Sequence, residues 1–198
     1  MGADNDKNAE EQMTTVFLSG SRKITRLNDV IRERIQNVID LGSAVLIGDA
    51  NGADKAMQTF LAERKYSNVS VYHVGDACRN NIGFWAAMKV SVSPKLKGRA
   101  LYTEKDKAMA AMADYGLVLW DGKSAGSITN VCELLTREKK TAVYFSPRKE
   151  FISVKTAEDI KTLLSLCEHA DVCELENSPI LKQQMENLNL SSQQSFDI

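Results

Sequence analysis

The chain of 198 residues lacks any apolar run near the roughly 20 residues that span a bilayer, so a helical membrane protein is not expected. It also lacks an excess of charge. The net charge is −1, so no global field recruits nucleic acid or an anionic membrane. Only two histidines are present, and the four cysteines (Cys78, Cys132, Cys167, Cys173) include no C-x-x-C pair. That excludes the usual spacing of a structural zinc site, implies no cofactor, and reads as free thiols in a reducing cytoplasm. The polar opening, Met1-Gly2-Ala3-Asp4-Asn5-Asp6-Lys7, has no apolar segment of the secretory kind. Asp6 stands where a myristoylation pattern wants Ser or Thr. With 43% apolar and 26% charged residues, the composition is that of an ordinary globular domain.

Glycine is not abundant either, at 11 residues, but its placement is informative. Gly48-Asp49-Ala50-Asn51-Gly52-Ala53-Asp54 follows the apolar run Ala44-Val45-Leu46-Ile47 and leads into helical spacing at Ala53, Met57, Phe60 and Leu61. A strand that turns through glycines into a helix presents unpaired N–H groups at the positive end of a helix dipole, which suits a phosphate. The construction recurs at Gly20-Ser21-Arg22 and at Asp121-Gly122-Lys123-Ser124-Ala125-Gly126-Ser127. Arg22 can clamp a phosphate through its planar fork, and Ser124 and Ser127 add hydroxyls. Asp49 and Asp54 are too acidic to touch phosphate, and Asp54 suits a first helical turn or a ribose hydroxyl.

Continuous apolar strands are expected at 14–18, 44–48, 69–74, 116–120 and 141–145, alternating with amphipathic helices. That pattern predicts an α/β fold, Rossmann-like and doubly wound, with a mainly parallel sheet of about five strands covered on both faces. A short strand at 151–154 and C-terminal helices from about 156 follow, with a capping box at Thr156 and Asp159 and an N-cap at Ser178-Pro179. The segment 75–101 reads as irregular. One domain is expected over 14–190, between a disordered tail at 1–13 and a flexible tail at 191–198. In such a sheet, ligands bind beyond the strands' C-terminal ends where strand order reverses. If the strands ending at Gly20 and Trp120 are neighbours, their turns flank that crevice.

The elements Gly20-Ser21-Arg22, Gly48-x-Ala50-x-Gly52-Ala53-Asp54, Lys105-Asp106-x-x-Met109, Ala113-Asp114 and Asp121-Gly122-x-Ser124-x-Gly126-Ser127 resemble the SLOG superfamily. This Rossmann-like group includes the DprA/Smf, LOG and YspA-type (DUF2493) proteins. The likeness covers about 14–146 and is greatest to the YspA-type branch. It implies binding of a nucleotide or nucleotide-derived ligand, in some members as a stress or conflict sensor. The ligand-binding residues would be Gly20, Ser21, Arg22, Gly48, Asp49, Gly52, Asp54, Lys105, Asp121, Gly122, Ser124, Gly126 and Ser127.

The chain departs from those relatives in ways that bear on catalysis. The LOG pattern G-G-x-G-T-x-x-E ends in a catalytic glutamate, and Asn130 follows Gly126-Ser127-Ile128-Thr129 here. Gln58 stands where DprA-like proteins tend to have a histidine. Three readings follow. The first is a sensor or ligand-binding module for a nucleotide, with Tyr102 available to stack on a base and Trp120 in the core. The second is cleavage or transfer of an N-glycosidic bond, with Asp106, Asp121 and Glu133 as candidate acids. The third, less favoured because the whole chain is near neutral, is single-stranded nucleic acid on the basic 89–107 segment. There Lys89, Lys95, Lys97, Arg99, Lys105 and Lys107 lie near Phe84, Trp85 and Tyr102. A homo-oligomer could form through the amphipathic helix at 180–190.

Overall fold

The computed structural model describes residues 13–194, so all but the last residue of the tail expected at 1–13, and the last four residues of the chain, lie outside it. The elements run in the order β1 (Thr15–Gly20), α1 (Asp29–Asp40), β2 (Ala44–Gly48), α2 (Ala53–Glu63), β3 (Val69–His73), β4 (Ala86–Lys89) and α3 (Arg99–Met112). Then come β5 (Tyr115–Trp120), α4 (Ala125–Leu135), β6 (Lys140–Phe145), β7 (Glu150–Val154), α5 (Ala157–Ser165), α6 (His169–Glu176) and α7 (Pro179–Gln194).

The strands form one seven-stranded sheet in the order β4-β3-β2-β1-β5-β6-β7. All neighbours are parallel except β6 and β7. Side chains alternate across the pleat, so each central strand feeds two cores. On β5, Leu117 and Leu119 point to the side covered by α1 and α2, with Ile31, Ile35, Met57 and Phe60. Val118 and Trp120 point to the other side, with Met109, Ile128, Val131 and the C-terminal helices. This is the doubly wound α/β fold that the continuous apolar runs predict.

Seven strands stand where about five were expected. β7 is the short strand anticipated at 151–154, and β4 lies inside the stretch read as irregular. All four β4 residues are exposed, so no apolar pattern marked it. The helix ends follow local chemistry. Asn28 accepts from the Ile31 N–H at 3.1 Å to cap α1, and Thr156 and Asp159 close their capping box on α5. α7 lays Leu181 and Leu188 on its own domain, against α4, and continues through 191–194 where a flexible tail was expected. Among the described residues, no helix is long and apolar enough to cross a membrane.

Candidate functional site

β1 is bonded to β2 on one side and to β5 on the other, so strand order reverses between β1 and β5. The three glycine turns meet at that point. Ser21 N–H donates to Leu119 O at 2.8 Å, tying the first turn to β5. Ala53 N–H donates to Ser21 O at 3.1 Å, tying it to the start of α2. The Ser21 hydroxyl donates to Asp121 Oδ2 at 2.8 Å, and Asp121 Oδ1 accepts from Ser124 N–H at 2.8 Å. Gly20 allows this closeness, because a Cβ there would stand 2.6 Å from Leu119 O and 2.7 Å from the Ala53 Cβ. Gly52, at φ 86° and ψ −127°, lies directly on the Arg22 backbone.

Beyond these turns opens a cleft of about 600 Å³, within the usual range for a small-molecule site. One wall is the start of α4. Among the described residues, the N–H groups of Ala125, Gly126 and Ser127 have no acceptor, and they form the positive end of the helix dipole. Arg99, at the start of α3, lies over Gly126, with Nη2 2.5 Å from where a Cβ would sit. Partial burial lowers the pKa of Arg99, and the nearby Arg22 charge lowers it further while Asp106 raises it. Neither Arg22 nor Arg99 forms an ion pair among the described residues. Arg22 and Arg79 both approach the Tyr102 ring, at 5.7 and 4.7 Å from its centroid. Tyr102 lines the cleft with these two cations against it.

The floor is a buried charge cluster. Asp49, fully buried, accepts from Arg79 Nε at 2.9 Å and Nη2 at 2.6 Å, and from Lys105 Nζ at 3.3 Å. Burial alone would push its carboxyl up, but the Arg79 hydrogen bonds and the Lys105 charge outweigh that and hold it at about 2. Asp54 has no such clamp. Burial raises it to about 6, with Asp106 adding to the rise and Lys105 and the Ala50 N–H opposing it. Asp106 is raised too, by burial first, against the pull of Lys105. Its amide neighbour is Asn130, which donates to Asp106 Oδ2 and to Gly126 O at 3.3 Å each and accepts from the Ser19 hydroxyl.

The raised Asp54 value has a sign. The folded protein holds this proton more tightly than the unfolded chain, so stability falls as pH rises from 3.8 to about 6, and the full cost remains above that. At about 1.4 kcal/mol per unit, the penalty at pH 7.5 is at most about 3 kcal/mol. Asp54→Asn is therefore expected to gain stability at pH 7.5 and to match the parent below pH 4, as read by urea unfolding at both pH values. Lower stability at pH 7.5 would show that the Asp54 charge is favourable in the fold.

Of the residues the sequence singled out, Gly20, Ser21, Arg22, Gly48, Asp54, Lys105, Asp106, Asp121, Ser124, Gly126 and Ser127 line the cleft. Asp49, Gly52 and Gly122 do not. Asp49 anchors the floor from below, Gly52 seats the Arg22 turn, and Gly122 packs toward Phe145. Glu133 lies elsewhere, with Oε1 held by Arg137 at 2.8 Å and Oε2 by Gln184 of α7 at 2.8 Å. No family model, curated protein or solved structure matches this chain. Gln58 is structural: it donates to Gly48 O at 2.8 Å and to Asn80 O at 3.2 Å, and accepts from Ile82 N–H at 3.0 Å. The basic 89–107 segment divides its cations among several partners. Lys89 pairs with Asp76 and Lys107 with Glu104, while Lys105 and Arg99 belong to the cleft. Sequence reading missed Arg79 and the cleft role of Arg99, which it counted only among the basic residues. Among the described residues, no cluster of metal-ligating side chains occurs, and all four cysteines are free.

Proposed function

We propose that the chain binds a nucleotide or nucleotide-derived ligand in this cleft, as a cytoplasmic sensor or ligand-binding module. One observation carries the reading. Two guanidinium groups without carboxylate partners, Arg22 and Arg99, face the same space as the open amides of α4. The two like charges repel, Asp106 offsetting only part of this for Arg99, and an anion between them relieves that repulsion while accepting hydrogen bonds from the idle N–H groups. The resemblance to SLOG proteins supports the same reading independently of the geometry. Mass spectrometry of small molecules released from the purified, folded protein is expected to find a phosphate-bearing nucleotide derivative. Arg22→Ala should weaken its binding by about 1.5–3 kcal/mol, the range of a charge-assisted hydrogen bond. Unchanged affinity by calorimetry in a folded variant would remove Arg22 from the phosphate site.

A second reading, N-glycosidic cleavage or transfer, is favoured by Asp106. Asp106 of α3 stands a hydrogen bond away from the Asn130 amide with its pKa raised by burial, which would suit it to stand in for the carboxylate absent at Asn130. Release of free base from nucleoside monophosphates is the measurement that separates this reading from a purely binding role.

A further inference from the structure

The cleft floor, between Gly48 and α3, carries three side chains whose polar atoms are not used up by the protein. Lys105 is 3% exposed, yet it lines the cleft. Its ammonium makes one hydrogen bond, to Asp49 at 3.3 Å, and lies 3.8 Å from Asp106 Oδ1, although it carries three donors. Asp54 is 7% exposed and also lines the cleft. Its Oδ2 accepts from Ala50 N–H at 3.2 Å, while Oδ1 has no donor among the described residues. Gly48 is what brings the two together, since a Cβ there would stand 2.5 Å from Asp54 Oδ2 and 2.6 Å from Lys105 Nζ. Asp106, with a quarter of its side chain accessible, completes the set.

Charge sorts the possible guests of this floor. A phosphate would meet Asp54 and Asp106, and a cation would meet the Lys105 ammonium. A neutral hydroxyl suits all three groups, because it accepts from an ammonium through its oxygen and donates its proton to a carboxylate. Two neighbouring hydroxyls use both carboxylates. Position supports a sugar at this depth. The Asn130 amide reaches both Asp106 Oδ2 and Gly126 O at 3.3 Å, so Asp106 stands beside the first turn of α4, and both line the same cleft as Arg22 and Arg99. A phosphate on the open amides would leave the sugar of the same nucleotide over this floor.

Resting on the nucleotide reading and deepening it, we propose that Asp54, Lys105 and Asp106 form a subsite for the vicinal hydroxyls of a ribose. The cleft then selects a ribonucleotide over its 2′-deoxy counterpart. A carboxylate that reads the ribose hydroxyls is a familiar device in doubly wound nucleotide folds, and here it arises from α2 and α3. Losing one hydroxyl leaves a buried acceptor and an ammonium donor without a partner, which is why such sites reject the analogue more strongly than an apolar pocket does.

The test is calorimetry with the four ribonucleoside 5′-monophosphates and 5′-diphosphates, their 2′-deoxy forms, and inorganic pyrophosphate. The parent protein is expected to bind the best ribonucleotide at least about tenfold more tightly than its 2′-deoxy form, since each lost hydroxyl strands buried polar groups. In Asp106→Ala and in Asp54→Asn that ratio should fall toward one, while pyrophosphate binds at least as tightly as to the parent, since each variant removes negative charge from the cleft. Equal binding of ribo and deoxy forms by the parent overturns the ribose subsite and leaves the nucleotide reading standing. A ratio that persists in both variants, shown folded by thermal melting, overturns the assignment to these residues. If Asp106→Ala fails to fold, Asp54→Asn decides alone. Absence of binding by every nucleotide overturns the nucleotide reading and this subsite with it.

Discussion

Asp49→Ala is expected to lower folding stability by about 3–5 kcal/mol, the cost of stranding one member of a buried ion pair. Asp49 is fully buried and stands between two cations, and it is the only group in hydrogen-bond contact with Lys105 Nζ among the described residues. Removing it leaves a nearly fully buried ammonium with Asp106 at 3.8 Å as its remaining ion-pair partner. It also frees Arg79, which the carboxylate grips through both Nε and Nη2 and through its backbone N–H. The Arg79 loop carries Asn80, whose side chain donates to Asp49 O, so the crossover before β4 loosens as well. Acid should produce part of that loss gradually, about 2.5 kcal/mol at about 1.4 kcal/mol per pKa unit. Because the native carboxyl is held at about 2 against an ordinary 3.8, its stabilising contribution is complete above that ordinary value and disappears as pH falls through about 2. Urea unfolding at neutral pH checks the prediction, and a loss under about 1 kcal/mol would place the cluster's stability elsewhere.

Gly52→Ala should cost nearly as much and should also damage binding. The backbone conformation at Gly52, φ 86° with ψ −127°, is one that a residue with a Cβ reaches only under strain of about 1–3 kcal/mol. An added methyl would also overlap the O, Cα and C atoms of Arg22, and overpacking of that kind costs typically another 1–3 kcal/mol. The obstruction is backbone rather than a yielding side-chain tip, so relief requires the Arg22 turn to move out of line with α4. A control separates strain from collision. Gly75 has a similar φ of 85° with open space around it, so Gly75→Ala reports the cost of a Cβ at positive φ without a collision. Thermal melting should rank Gly52→Ala well below Gly75→Ala, and nucleotide titration should show weakened affinity only for the former. Equal melting of the two would mean that the Arg22 turn adapts freely.

What the sequence revealed depended on whether a residue's role left a local signature. The central strands are buried on both faces, so 16–18, 45–47 and 117–120 had to be apolar throughout, and they were legible. The glycine turns were legible because steric closeness at Gly20 and Gly52 excludes a side chain. β4 had no comparable requirement. It is held by backbone pairing to β3 alone, and pairing leaves no mark on Ala86, Ala87 and Met88. Arg79 was invisible because its partner, Asp49, lies thirty residues away in sequence. Glu133 shows the converse. Sequence reading made it a candidate acid, but its carboxylate is bound by Arg137 and by Gln184, and only tertiary packing reveals that commitment.

The same bond between Gln184 and Glu133 means that the unit of folding is larger than the stretch that carries the resemblance to SLOG proteins. That stretch ends near residue 146, yet Leu163, Leu175, Leu181 and Leu188 are sealed into the core built on α4. A chain trimmed to the familiar portion would expose Val131, Cys132 and Leu135 to water and leave half of a buried carboxylate without its donor. The helices after β7 are therefore a wall of the domain, not an appendage to it.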